Sequence, residues 1–135
     1  YRVVQRAAWP IGCIAETQPQ LLSKHLSVFV GLLRKPGLHN AVRRNITRLL
    51  QYISIPEALK GDVMDACFSF ICDMQEKAAV KAFSLSILEQ LANEYPEIMP
   101  EIITVIEERW DFETAAFHSR ARKILKKHQK ITRDF

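Results

Sequence analysis

The sequence predicts an all-α fold in which pairs of helices recur with a period of about 38 residues and stack into a solenoid. Three observations support this prediction. Apolar residues recur at helical spacing along the chain. The helix-starting prolines Pro19, Pro56 and Pro96 recur at nearly equal intervals, and only four of the 135 residues are glycine. Helical pairs that repeat at such an interval are typical of α-solenoids, whereas β-sandwiches and barrels need more turn residues.

The helices that follow the three prolines share one apolar stripe. Proline favours the first position of a helix and disfavours helix in the residue before it. Apolar residues then stand 3, 7, 10 and 14 positions after each proline, which is the spacing of one helical face. The stripes are Leu22, Leu26, Phe29 and Leu33; Leu59, Val63, Ala66 and Phe70; and Met99, Ile103, Ile106 and Trp110.

A second set of helices alternates with the first. Val4, Val42 and Val80 are evenly spaced, one repeat interval apart, and apolar or small side chains follow them at helical spacing. A fourth, shifted copy begins at Phe117. Pro10 predicts a kink in the first helix, and Pro100 is an alternative start for the sixth. The seven predicted helices span 2–17, 19–34, 39–54, 56–74, 77–94, 96–111 and 114–130.

The composition excludes several classes of protein. Hydrophobic residues make up 48% and charged residues 25%, which excludes a disordered chain. No apolar stretch approaches the ~20 residues that a membrane span needs. Three cysteines are too few for a disulfide framework, so we expect a cytoplasmic protein.

We expect one domain over residues 1–135 that lacks its first helix or N-terminal cap. Val3, Ala7 and Ile14 would then form an apolar patch through which the chain could oligomerise.

Two segments carry a resemblance to a known family. AVRRNITRLL at residues 41–50 resembles the second helix of a HEAT repeat, in which Val-Arg precedes small and leucine-rich positions, and AVKAFSLSIL at residues 79–88 is similar. The resemblance implies a right-handed α-α superhelix of about three and a half HEAT-like, armadillo-type hairpins, with the second helices lining the concave surface. The acidic residue that often precedes Val-Arg is absent, so the sequence gives no support for Asp–Arg contacts between repeats.

The charge is sorted between the two sets of helices. The chain carries +4 in all, but the helices that the resemblance makes concave carry +9 and the convex ones −5. One interpretation is a basic groove for an anionic partner, and the other is an ordinary solvated surface with a dipole-favoured helix end. Arg44 and Arg48 share a helix face, as do Lys123 and Lys127. The predicted partner-binding face consists of Arg43, Arg44, Arg48, Arg120, Lys123 and Lys127.

No catalytic residue, metal site or cofactor is predicted. Cys67 and Cys72 are five residues apart on different faces of one helix, so buried thiols are favoured over zinc ligands. The four histidines have no partner at ligand spacing. Trp110 is expected in the core, and the carboxylates around it are expected on a solvated convex face: Glu107, Glu108, Asp111 and Glu113.

Two functions are consistent with these features. The first is a non-enzymatic scaffold that holds an acidic protein or peptide on the basic concave face. The alternative is a nucleic-acid-binding HEAT-like module related to the alkylpurine DNA glycosylases, which place aromatic residues and an Asp at the damaged base. Trp110 and Asp111 are adjacent here, but they fall on the inferred convex side. A steep loss of binding to duplex DNA with salt would distinguish the alternative.

Overall fold

The structure is a computed structural model that describes the backbone of residues 25–133 and the side chains of residues 25–128. This part of the chain holds six α-helices and no strand, so the all-α prediction is confirmed. The predicted helix over 2–17, with Pro10 and the Val3, Ala7 and Ile14 patch, lies outside the described residues. The helices are α1 (Leu26–Leu33), α2 (Asn40–Leu50), α3 (Glu57–Cys72), α4 (Ala78–Glu94), α5 (Met99–Arg109) and α6 (Ala115–Arg133).

The chain divides into two compact units, residues 1–66 and 67–135, with the boundary inside α3. In the first unit α1 packs against α2. The loop between them turns at Gly37, whose φ of 77° is a conformation that glycine adopts readily. His39 then caps α2, because its Nδ1 accepts a hydrogen bond from the Ala41 N–H at 3.1 Å. The core side chains here are Leu26, Val30, Leu33, Val42, Ile46, Leu49 and Leu50.

In the second unit α4 packs against α6, and α5 packs against both. The predicted stripe of α4 is confirmed, since its members are all buried: Val80, Ser84, Ile87 and Leu91. Leu88 is also fully buried. From α6 the buried side chains are Phe117, Ala121 and Ile124, as the shifted fourth copy predicts. No helix in the described range is long and apolar enough to cross a bilayer.

The predicted phase of α5 is wrong. The structure buries Ile102, Val105 and Ile106, whereas Ile103 is half-buried. The reason is that Pro96 begins a separate 3₁₀ turn, Pro96–Ile98, and the α-helix starts only at Met99. A 3₁₀ turn has three residues per turn, so it shifts the phase of the apolar face counted from Pro96.

The C-terminal end of α5 also departs from the prediction. The helix stops at Arg109, and Trp110–Phe112 forms a second 3₁₀ turn. Trp110 is therefore half-buried in a turn rather than part of the core stripe. In α3 the stripe is confirmed at Val63, Ala66 and Phe70, but Leu59, which lies in the first turn, is only half-buried.

Two glycines make a matched pair of stability predictions. Gly61 lies inside α3, and a Cβ added there would meet no atom within 4 Å. Gly61→Ala should therefore raise the free energy of unfolding by about 0.5–1 kcal/mol, because alanine loses less backbone entropy in a helix. Gly37→Ala has equally open space but a φ of +77°, so it should lower stability by about 1 kcal/mol. Urea unfolding followed by circular dichroism would measure both, and equal effects would contradict the prediction.

Candidate binding surface

The three arginines of α2 have different surroundings. Arg44 is exposed, and its side chain forms no hydrogen bond or ion pair within the described part of the chain. Arg48, one turn later, is half-buried. Arg43 is also half-buried, and its Nη1 donates to the Leu38 carbonyl at 2.8 Å, which ties the start of α2 to the preceding loop. Arg44 is thus the α2 arginine most available to a partner.

Two of the predicted basic residues of α6 contact α4. Arg120 Nη1 donates to Ser86 Oγ at 2.7 Å, and Lys127 Nζ donates to Asn93 Oδ1 at 2.7 Å. Lys127 Nζ also lies 4.0 Å from the Glu89 carboxylate. Both hydrogen bonds join residues 34 positions apart, and the second pair lies seven residues further along both helices. This constant offset means that α4 and α6 run parallel and side by side.

Two lysines of α6 face solvent. Lys123 and Lys126 are exposed and have no partner among the residues that the structure describes. From Ala115 to Lys130 the helix carries six Lys or Arg residues and no carboxylate. A run of one sign on one helix creates a positive potential that favours anionic groups.

A buried cluster of charges lies at the N-terminal end of the α4–α6 contact. Lys81 Nζ is 2.6 Å from Glu113 Oε1, and the same oxygen accepts from Arg109 Nε at 3.0 Å and Nη2 at 2.8 Å. The Lys81 and Glu113 side chains are only 3% and 5% exposed. Burying charges is costly unless each is paired and hydrogen-bonded. The cluster therefore fixes the first turn of α4, the last turn of α5 and the start of α6 to one another.

This cluster supplies a contact that the sequence analysis did not anticipate. The expected acid before Val-Arg is absent, but Lys81, which follows Val80, pairs with an acid that stands two residues before the next second helix. The prediction that Glu113 lies on a solvated face is wrong, because the two cations draw it into the interior. Glu107, Glu108 and Asp111 are exposed, as predicted.

The α5–α6 turn is held by ring contacts. The rings of Trp110 and His118 stack with centroids 4.2 Å apart and planes 18° from parallel. His118 Nε2 lies 2.7 Å from the Trp110 carbonyl oxygen. The Arg122 guanidinium lies 5.6 Å from the Trp110 ring centroid, in the range of a cation–π contact. These contacts give Trp110 and His118 a structural role in orienting the turn against α6.

A comparison with known protein families agrees with the helical repeat. The sequence matches the family model of the HEAT repeat domain over residues 1–128. The chain belongs to the HEAT repeat family. No curated protein and no solved structure matches it significantly. HEAT repeat domains are typical of protein-interaction scaffolds, and the family is generally non-catalytic.

The two described cysteines of this HEAT repeat chain differ in exposure. Cys67 is buried, as predicted, and burial raises the pKa of its thiol to about 12. Cys72 is exposed, so the prediction that it is buried is wrong: it is the last residue of α3. Partial desolvation, and then the charge of Glu108, raise the pKa of the Cys72 thiol. Within residues 25–128 no group of three His, Cys, Asp or Glu side chains is placed to hold a metal ion.

The buried carboxylate makes a prediction about stability. Glu113→Gln leaves the buried Lys81 ammonium without a countercharge, so the free energy of unfolding should fall by about 3–5 kcal/mol. Glu57→Gln is the control, because the Glu57–Lys60 pair is 2.9 Å long but Glu57 is 74% exposed. That change should cost under about 0.5 kcal/mol. Urea unfolding of both variants is the measurement, and similar losses would show that the cluster contributes no more than a surface pair.

The Cys67 thiol makes a prediction about pH. In the folded chain its pKa is raised from 9.0 to about 12. Between these values the unfolded chain releases a proton that the folded chain retains. Unfolding is therefore favoured as the pH rises through this window, and stability falls. Cys67→Ala should lack this loss, so the stability difference between the parent chain and the variant should shrink from about pH 8 to about pH 11. A constant difference in urea unfolding would contradict the prediction.

Proposed function

We propose that this chain is a non-enzymatic scaffold that holds an acidic protein or peptide segment through basic residues of its second helices. The observation that carries the proposal is that Arg44 and Lys123 are exposed and have no partner within the described part of the chain. Exposed charges add little to stability, so these two side chains can contact a partner without loss to the fold. An acidic segment is the occupant that their sign favours.

The six residues predicted for partner binding would have different roles. Arg44 and Lys123 would make the first contacts, each supported by a neighbour one turn along its helix, Arg48 and Lys127. An arginine can hold a carboxylate through two parallel hydrogen bonds, which lysine cannot do. Arg43 and Arg120 already donate to Leu38 and Ser86, so they would mainly position the helices and add positive potential.

A peptide is favoured over a nucleic acid by what surrounds the basic residues. No aromatic side chain lies among the Lys and Arg residues that follow Phe117 in α6 until the chain's last residue. Proteins that bind single strands stack bases on aromatic rings between their cations. The α6 sequence lacks such a platform, whereas scattered cations on helix surfaces suit the side chains of an acidic segment.

A pair of charge reversals tests the proposal. The double variant Arg44→Glu and Lys123→Glu should bind a fluorescein-labelled poly-glutamate peptide at least about tenfold more weakly, since each lost contact is worth about 1 kcal/mol or more. The control is Lys35→Glu with Lys77→Glu, which makes the same change in net charge at two other exposed lysines. The control should stay within about threefold. Fluorescence anisotropy gives the affinities, and melting curves of both variants should match the parent chain.

Two outcomes would overturn the proposal. Equal losses in the test and control variants would show that binding follows net charge and not this surface. Tighter binding to random-sequence duplex DNA than to poly-glutamate, with a steep loss between ~50 and ~200 mM salt, would replace the scaffold with the nucleic-acid-binding module.

A further inference from the structure

Two apolar side chains stand out from the surface of the second unit. Met74, in the turn between α3 and α4, and Phe112, in the 3₁₀ turn between α5 and α6, are each 72% exposed. They are the most exposed large apolar residues in the described part of the chain. A single exposed apolar residue is ordinary. These two are separated by one repeat interval, as Val42 and Val80 are, so they occupy equivalent turns of successive repeats.

The two turns lie at the same end of the second unit. Phe112 immediately precedes Glu113, whose carboxylate is 2.6 Å from Lys81 in the first turn of α4. Met74 stands just before that helix, three residues ahead of its N-cap, Lys77. The ion pair therefore holds the two turns beside each other. We refer to the surface formed by Asp73, Met74, Glu108, Asp111 and Phe112 as the turn edge.

Phe112 has one restraining contact although it is exposed. The Arg109 guanidinium lies 5.4 Å from the centre of its ring. Arg109 in turn is fixed by two hydrogen bonds to the buried Glu113 carboxylate. An aromatic ring that is already ordered loses little conformational freedom on binding, and such rings often anchor interfaces. Phe112 thus has the physical features of an interface anchor.

The charge around these side chains is acidic. Asp73, Glu108 and Asp111 are exposed. Asp73 directly precedes Met74 and Asp111 directly precedes Phe112, so each apolar side chain has a carboxylate next to it in the chain. Two cations at the same end, Lys81 and Arg109, share the Glu113 carboxylate, so this cluster keeps one net positive charge.

Lys77 and Arg122 are two exposed cations near the turn edge. Lys77 is exposed at the start of α4, and Arg122 lies over the Trp110 ring. The four exposed carboxylates, Asp73, Glu107, Glu108 and Asp111, outnumber these two cations even with the one net positive charge of the buried cluster added. A partner that approaches Phe112 and Met74 therefore meets a surface of net negative charge, opposite in sign to that of α6.

We infer that the turn edge is a docking surface for a basic protein segment that carries an apolar side chain between its cations. The apolar side chain would pack on Phe112 and Met74, and its lysines or arginines would pair with Asp111, Glu108 and Asp73. The charge complementarity selects this occupant over an acidic peptide or a nucleic acid, which the same carboxylates repel. The surface is separate from the basic second helices and does not depend on their role.

The test uses the whole chain and a labelled probe peptide of alternating lysine and leucine or phenylalanine. Phe112→Ser and Met74→Ser should each weaken binding, with Phe112→Ser at least about tenfold weaker because it removes the ordered anchor. Val28→Ser is the control, since Val28 is 60% exposed on α1. It should stay within about twofold. Exposed residues contribute little to folding, so all three melting temperatures should match the parent chain.

Charge reversal separates docking from simple apolar adhesion. Asp111→Lys with Glu108→Lys should weaken the lysine probe at least about tenfold and should improve binding of the same peptide with glutamate for lysine. Arg44→Glu with Lys123→Glu should not lower the affinity for the lysine probe. This result would distinguish the turn edge from the basic residues of the second helices. Equal affinity of the lysine probe for the parent chain and Phe112→Ser, or for the parent chain and the Asp111→Lys, Glu108→Lys variant, would overturn the inference.

Discussion

The second unit depends on one buried carboxylate shared by two cations. Glu113 brings together the start of α4 through Lys81 and the end of α5 through Arg109, and it lies two residues before α6. An ion in the interior is tolerated only when its partners are fixed in good geometry. The cluster therefore constrains three helix ends at once, where a patch of aliphatic side chains would allow them to slide.

This constraint determines which charges remain available at the surface. With the start of α6 fixed, Arg120 and Lys127 meet Ser86 and Asn93 two helical turns apart, and Lys123, which lies between them in the sequence, stays exposed. At the other side of the cluster Arg109 is held under Phe112. The outward cations of α6 and the ordered ring of the turn edge are thus both consequences of the same buried contact. Their positions are set by the fold rather than by contacts of their own.

The sequence predicted well those elements whose burial depends only on the spacing of residues within one helix. The stripe of α4, which is apolar except for the small Ser84, repeats at helical spacing, so its buried positions follow from periodicity. The phase of α5 did not follow, because a 3₁₀ turn after Pro96 and a later start at Met99 shift the face that is buried. The exposure of Cys72 also could not be predicted from periodicity. Cys72 is the last residue of α3, and the point at which a helix leaves the packed core depends on its neighbours.

The candidate site could be predicted only in outline, because its pairings join residues far apart in sequence. Composition identifies α6 as basic, but that Arg120 meets Ser86 depends on the register of two parallel helices. The same holds for Glu113, which looks like one carboxylate of an exposed group until Lys81, far away in the sequence, is placed beside it. Local pattern therefore separates buried from exposed faces, while the spacing between repeats decides which charges are neutralised and which can meet a partner.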